Sequence, residues 1–323
     1  APAVLVAVGA SFILPQIPGI DYPGVWTTDH CLDAKEIPGH IAIYGGNFIG
    51  IEWAQFFHAL GSQVTILEPG PQLLPGEDAE VAEALQFLLA ESGIEVRLNC
   101  AALELTGEAR GRIGIGTPGG RVIADRFLVS DPRRPRVAEH ALGDLGIAIR
   151  DGAVSTDERQ ATSIRGVFAA GDITGGRMLS QVARMQGIVA AEAALGMDSR
   201  FDPTLCSRVY HVRPEVAAVG LTEAEALDRG VDIVVGRSEV GYNARALTLG
   251  QGTGLVKIVA ARPHGKVLGV HILGLLATEA IAAATLALRL EALAEDLASL
   301  IHGHPTIAES VAEAAWDALQ RLR

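Results

Sequence analysis

The stretch Ile41-Ala42-Ile43-Tyr44-Gly45-Gly46-Asn47-Phe48-Ile49-Gly50-Ile51-Glu52 leaves the chain few ways to fold. Its first four residues make a short buried strand. A glycine-rich turn follows, then an amphipathic helix that runs to Gly61. A second strand, Gln63-Val64-Thr65-Ile66-Leu67, ends on the carboxylate of Glu68. Strand, glycine turn, helix, strand and terminal acid, in that order, open a dinucleotide-binding βαβ unit. Gly45 permits the tight turn out of the strand, and Gly50 lets helix and strand pack closely. The free N–H groups of the first helical turn, at Phe48 and Ile49, suit a pyrophosphate. Glu68 lies 18 residues beyond Gly50, where a carboxylate accepts both ribose hydroxyls of NAD. The same charge repels the extra phosphate of NADP, and no Arg or Lys lies between Ser62 and Glu95 to bind that phosphate. Asn47 stands where the pattern has its second glycine. Asn tolerates left-handed backbone better than most residues, so the turn survives, with the side chain close to the expected pyrophosphate. An ordinary packed βα turn is the alternative reading.

At 323 residues the chain has room for two or three domains. A net charge of −12 offers no basic footprint for nucleic acid. No apolar run is long enough to span a bilayer; the stretch 280–288 is short and flanked by Glu279 and Arg289. Cys31, Cys100 and Cys206 lie far apart, with neither a Cys-x-x-Cys nor a metal-ligand spacing. They are expected to be structural thiols in a reducing cytoplasm. No metal site is expected, and the chain carries no local dithiol pair.

Other elements follow in order. Residues 4–8 form a strand, and a loop with Pro15, Pro18 and Pro23 leads to the first βαβ unit. A helix is expected over 78–92, stopped by Gly93, then strands near 94–98, 112–116 and 121–129. Asp131-Pro132-Arg133-Arg134-Pro135 marks a boundary. Gly166-Val167-Phe168-Ala169-Ala170-Gly171-Asp172 is a buried strand that delivers Gly171 and Asp172 at its carboxyl end, where ligands of open α/β sheets sit. Asp172 there accepts hydrogen bonds from a sugar alcohol or caps the next turn; spacing leaves both open. A helix over 179–195 follows. From residue 201 the pattern becomes strands (205–211, 216–219, 255–260, 267–273) and then helices, including one opened by a Thr222/Glu225 capping box.

His302-Gly303-His304-Pro305-Thr306-Ile307-Ala308-Glu309 is the second chemical signal. An imidazole shuttles protons near neutral pH, and a carboxylate on its other nitrogen fixes the tautomer. Thr306 and Glu309 also have capping-box spacing, so Glu309 as a helix cap is the structural alternative.

The chain resembles the pyridine nucleotide–disulfide oxidoreductases, and within them dihydrolipoamide dehydrogenase. The resemblance rests on Ala7-Val8-Gly9, the Gly45–Glu52 motif, Gly166–Asp172, Pro214-Glu215-Val216-Ala217, Val219-Gly220-Leu221-Thr222, Asn243-Ala244-Arg245-Ala246 and His304-Pro305-Thr306 with Glu309. It implies an α/β fold with Rossmann-like FAD/NAD(P)-binding domains and a C-terminal α+β dimerisation domain. Residues 1–39 and 131–200 would belong to the FAD domain, 40–130 to the NAD domain and 201–323 to the interface of a homodimer. It also implies that Gly45, Gly50 and Glu68 contact NAD, that Glu52 lies beside the nicotinamide, that Asp172 binds the flavin ribitol, and that His304 and Glu309 form an acid–base dyad serving the dithiol of the other subunit.

The family's first GxGxxG and redox Cys-x4-Cys do not occur in these residues, so the FAD site is expected to be incomplete here, with a separate chain as one possible source of the rest. Val8 replaces the usual Thr of the first flavin strand, and Asp131-Pro132 stands where a Thr-Gly is usual. Two functions are therefore expected candidates: an FAD- and NAD-dependent disulfide oxidoreductase whose dithiol lies outside this chain, or a non-catalytic NAD-binding dimerisation module. Residues 40–130 and 201–323 are expected to be better ordered than 131–200.

Overall fold

The computed structural model describes residues 3–130 and 133–323. The chain divides into two units: residues 1–15 with 131–206, and residues 16–130 with 207–323.

In the first unit, strand Val4–Val6 pairs in parallel with Val167–Ala169, Val4 opposite Val167. Ala10–Phe12 pairs antiparallel with Arg133–Pro135, and Ile149–Arg150 with Ala153–Val154. Helix Ser180–Ala194 runs almost over the expected span. The core is small, built on Leu142, Ile147, Val154, Ala169 and Ile173. The expected departure at Asp131-Pro132 lies outside the described residues.

The second unit contains two five-stranded sheets that share one core. The first is parallel, in the order Val25–Trp26, Arg126–Val129, His40–Tyr44, Gln63–Leu67, Glu95–Arg97. Its inner strands are near-continuous apolar runs because helices cover the sheet: Ile41, Ala42, Ile43, Val64 and Ile66 are fully buried. Helix Phe48–Ala59 lies on it through Ile51, Ala54 and Phe57. Helix Ala79–Glu91 buries Val81, Leu85 and Leu89, and Asp78 caps its start by accepting the Glu80 N–H. Residues 16–39, expected with the FAD domain, fall in this unit. Strand Val25–Trp26 extends the parallel sheet, and Cys31 enters the core.

The second sheet is antiparallel, in the order Arg208–Tyr210, Val216–Gly220, Lys266–Leu273, Leu255–Ala261, Ile233–Glu239. Four of these strands match apolar runs read from the sequence. The fifth, Ile233–Glu239, was missed because Arg237-Ser238-Glu239 interrupts its apolar pattern. Its Gly236 explains how it packs. A Cβ there would fall 2.1 Å from the Ala314 carbonyl oxygen, so the glycine lets helix Glu309–Leu322 lie directly on the strand. The Thr222/Glu225 capping box forms as expected, with both reciprocal hydrogen bonds.

Candidate functional site

The glycine turn sits at the carboxyl end of strand His40–Tyr44. Gly45 has φ 106°, which an L side chain rarely adopts. Gly50 is a glycine for a different reason: a Cβ would lie 2.1 Å from the Gly45 carbonyl oxygen. Asn47 departs from the sequence expectation. Its backbone is extended (φ −72°, ψ 172°), so no left-handed tolerance is used. Its side chain caps the helix: Oδ1 accepts the Gly50 N–H at 2.9 Å, and Nδ2 donates to the Ser130 carbonyl at 3.1 Å. The cap removes the Gly50 donor and leaves the N–H groups of Phe48 and Ile49 pointing out of the first turn, as helix geometry requires.

Glu68 is buried at the end of the next strand. Its Oε2 accepts the Gly46 N–H and its Oε1 the Gly70 N–H, both at 2.6 Å. The acid therefore braces the turn through one hydrogen bond to each of its oxygens. Glu52 lies on helix Phe48–Ala59 and accepts the His211 N–H at 3.1 Å. Burial pushes its carboxyl above the usual carboxylate range, against the opposing effect of that hydrogen bond. One turn further on, Gln55 exchanges two hydrogen bonds with the Arg213 backbone.

In the first unit, Gly171 (φ 79°) ends strand Val167–Ala169, and its N–H is held by Gln186 Oε1 at 2.8 Å. The following turn, Asp172–Thr174, has no side-chain cap; Thr174 Oγ1 donates to the Gly171 carbonyl instead. Asp172 is the first residue of that turn rather than its cap, and its carboxylate makes no hydrogen bond to the described residues. An unpartnered, half-buried carboxylate beside Gly175 and Gly176 is compatible with a polyhydroxyl ligand.

At the C-terminus His304 Nδ1 donates to Glu309 Oε1 at 2.9 Å. Glu309 Oε2 accepts the Thr306 N–H at 2.7 Å. Both sequence readings hold in part. Glu309 makes one arm of a capping box, but Thr306 Oγ1 donates to the Gly303 carbonyl rather than accepting from the helix. The Thr306 N–H and the imidazole together hold the Glu309 carboxyl below its usual range. The His304 side chain is 72 % exposed, so Nε2 meets solvent. Asn243, part of the Asn243-Ala244-Arg245-Ala246 motif, steadies this loop. Its Oδ1 caps helix Ala244–Thr248 while its Nδ2 donates to the Thr306 carbonyl and Ser310 Oγ.

Sequence reasoning missed a set of buried charges. Arg208 forms a two-pronged pair with Glu77 (2.7 and 2.9 Å), and Tyr210 OH donates to Glu77 Oε1 at 2.7 Å. Lys257 Nζ reaches Asp78 at 2.9 Å, Glu80 at 3.1 Å and Glu223 at 2.7 Å. The available signal was a cation inside each of two otherwise apolar strands, Arg208 and Lys257, since buried charges need partners. Of the cysteines, Cys31 and Cys100 are buried, and burial pushes the Cys31 thiol up to about 12. Among the described residues no cluster of His, Cys, Asp or Glu could hold a metal ion, and no helix is long and apolar enough to cross a membrane.

Comparison with known proteins shows the family of a chain that carries a glycine turn with a terminal acid, a strand-end aspartate and a histidine–carboxylate pair. Residues 1–187 match the family model described as pyridine nucleotide-disulphide oxidoreductase, and residues 206–315 match that family's dimerisation domain. The chain belongs to this family. Dihydrolipoyl dehydrogenase of Thermus scotoductus is 38% identical over 298 residues, which are 90% of this chain and 64% of the relative. The dihydrolipoyl dehydrogenase of Chlorobaculum tepidum is 35% identical, over 99% of this chain and 69% of the relative. Among solved structures, LpdA from Mycobacterium tuberculosis superposes with a TM-score of 0.88 at 29% identity, covering 99% of this chain and 70% of that one. The HOCl-induced flavoprotein disulfide reductase RclA from Escherichia coli gives 0.87 at 27% identity, covering 97% and 73%. The chain thus spans 64% to 69% of the length of these two curated relatives.

Proposed function

We propose that the chain carries the NAD-binding and interface parts of a flavin-dependent disulfide oxidoreductase similar to dihydrolipoamide dehydrogenase. The observation that carries this reading is the His304–Glu309 pair, with one imidazole nitrogen held by a carboxylate and the other open to solvent. A scaffold has no need of it. The family match and the two curated relatives support the same reading.

Nicotinamide and FAD supply the hydride chemistry when bound. The residues present fit both groups. For NAD, the unpartnered first-turn N–H groups of Phe48 and Ile49 would face the pyrophosphate, Glu68 the adenosine ribose, and Glu52 the nicotinamide end. For FAD, Asp172 would hold the ribitol, with Gly171 forming the turn that presents it. The rest of the flavin cradle and the dithiol would come from residues outside these 323.

The proton work falls to His304. With Nδ1–H directed at Glu309, Nε2 is the basic nitrogen. It takes a proton from a dithiol as a disulfide forms and returns it in the reverse direction. The carboxylate steadies the imidazolium so formed, and such catalysis is typically worth about 10²–10⁴-fold. We place the dithiol in the second subunit of a homodimer formed through residues 201–323, in a reducing cytoplasm.

The reading is tested by titrating the pure 323-residue chain with NADH and NADPH while following nucleotide fluorescence. NADH is expected to bind, and NADPH at least about tenfold more weakly because Glu68 repels the added phosphate. Absence of NADH binding would sink the reading. The chain by itself is expected not to reduce a disulfide, since Cys31, Cys100 and Cys206 lie far apart in sequence with no Cys-x4-Cys spacing; turnover would overturn the location given to the dithiol. A non-catalytic NAD-binding dimer is the second reading, favoured by the absence of a Cys-x4-Cys from these residues. An absorption spectrum separates the two: near-stoichiometric flavin supports the enzyme, and its absence from a chain that still binds NADH supports the module.

A further inference from the structure

The nucleotide turn is not held by its own βαβ unit alone. Arg208 and Tyr210 lie two residues apart on strand Arg208–Tyr210 of the antiparallel sheet, so their side chains leave the same face. Arg208 and the Tyr210 hydroxyl both end on the Glu77 carboxylate. The Tyr210 ring stacks on Phe48, with centroids 4.9 Å apart and planes 16° from parallel. Phe48 is the first residue of the nucleotide helix.

Glu77 closes the loop that begins at Glu68. The Glu77 N–H donates to the Leu74 carbonyl at 3.0 Å, and the Leu74 N–H to the Gly46 carbonyl at 2.8 Å. Leu73 is fully buried against Gly46, with its Cδ2 2.5 Å from where a Cβ would stand. At the loop's other end, Glu68 holds the Gly46 N–H. The loop therefore grips Gly46 through its N–H, its carbonyl and its missing side chain. It is itself pinned at Glu77 by the antiparallel sheet. The pair is dry, with Arg208 and Glu77 side chains 3 % and 2 % exposed, so it does not loosen into solvent as a surface ion pair does.

We propose that Arg208 and Tyr210 are positioning residues for the dinucleotide site. They fix the loop 68–77 and Phe48 against the glycine turn, so that the interface domain sets nucleotide affinity in the neighbouring domain. The inference rests on the NAD reading above. Its parts are separable because one residue does two jobs: the Tyr210 hydroxyl positions Glu77, and the ring positions Phe48.

The test is NADH affinity in Tyr210→Phe and Tyr210→Leu, measured well below each variant's melting temperature. Tyr210→Phe keeps the stack and loses only the hydroxyl, and is expected to raise the NADH Kd about threefold; Tyr210→Leu loses both and is expected to raise it about tenfold. Arg321→Ala is the control. It breaks an ion pair with Asp317 within helix Glu309–Leu322 that shares no residue with the loop 68–77, and should lower Tm without moving the Kd. A Tyr210→Phe protein with lowered Tm and wild-type Kd would overturn the inference, even if Tyr210→Leu fails to fold. Failure of the wild type to bind NADH would instead remove the nucleotide reading beneath it.

Discussion

Single residues around the turn carry opposite physical demands. Gly50 is where it is because nothing larger fits between the helix and the Gly45 carbonyl. Gly50→Ala is expected to destabilise by about 1–3 kcal/mol through overpacking and to weaken NADH binding, as thermal melts and titration would show. Glu52 carries a cost in the other direction. Its pKa is raised in the folded protein by burial, so the native state favours the protonated form. The stability this group contributes is full below the unfolded carboxylate pKa and is lost as pH rises through the folded value. Glu52→Gln, whose carbonyl still accepts the His211 N–H, should therefore raise Tm at pH 7 and leave it nearly unchanged at pH 4. A melt series showing the same shift at both pH values would contradict this. A half-buried carboxyl whose burial raises its pKa is poorly placed for stability at neutral pH.

Among the elements, helix Glu309–Leu322 carries one half of the His304–Glu309 pair. It begins at Glu309, lies on Gly236, and is tied at its start by Asn243. Asn243 serves two elements, capping helix Ala244–Thr248 and holding the Thr306 carbonyl. Asn243→Ala is expected to cost about 2 kcal/mol, from the lost cap together with Ser310 Oγ and the Thr306 carbonyl left without this donor. It should also loosen the His304 loop, read as faster amide exchange at residues 302–306. Unchanged exchange there would deny Asn243 its second role. The lysine cluster between the sheets follows a similar logic. Burial would lower the Lys257 pKa, but the carboxylates of Glu223, Asp78 and Glu80 more than offset it and the pKa is raised. Lys257→Met is expected to cost about 3–5 kcal/mol, because it leaves those acids facing one another with Asp78 buried. A chemical denaturation curve measures it.

At the scale of the whole molecule the two units differ in how much core they possess. The unit of 16–130 with 207–323 has two five-stranded sheets over one continuous apolar cluster. The other has short two-stranded ladders, and Val4 and Leu5 on its parallel strand are 50 % and 46 % exposed. Hydrogen exchange should protect the amides of strands His40–Tyr44 and Leu255–Ala261 far longer than those of Val4–Val6 and Val167–Ala169. Equal protection in the isolated chain would contradict it.

What the sequence determined by itself is local. The glycine turn, the helix bounds near 79–91 and 180–194, the Thr222/Glu225 box and the His304–Glu309 pair all join groups a few residues apart, where chain geometry leaves little choice of partner. Asn47 shows the limit of that legibility. An Asn three residues before Gly50 has the spacing of an N-cap, yet the glycine expected at that position points to left-handed backbone and to a side chain near the pyrophosphate, not to a cap. Tertiary structure alone decided the rest. Arg208 and Glu77 are 131 residues apart, Lys257 and Asp78 are 179 apart, and Asn243 lies 63 residues before Thr306. A buried charge announces that it must have a partner, but the partner is chosen by which sheet packs on which. That is fixed by the summed burial of apolar faces across the chain, and no short stretch of sequence contains it.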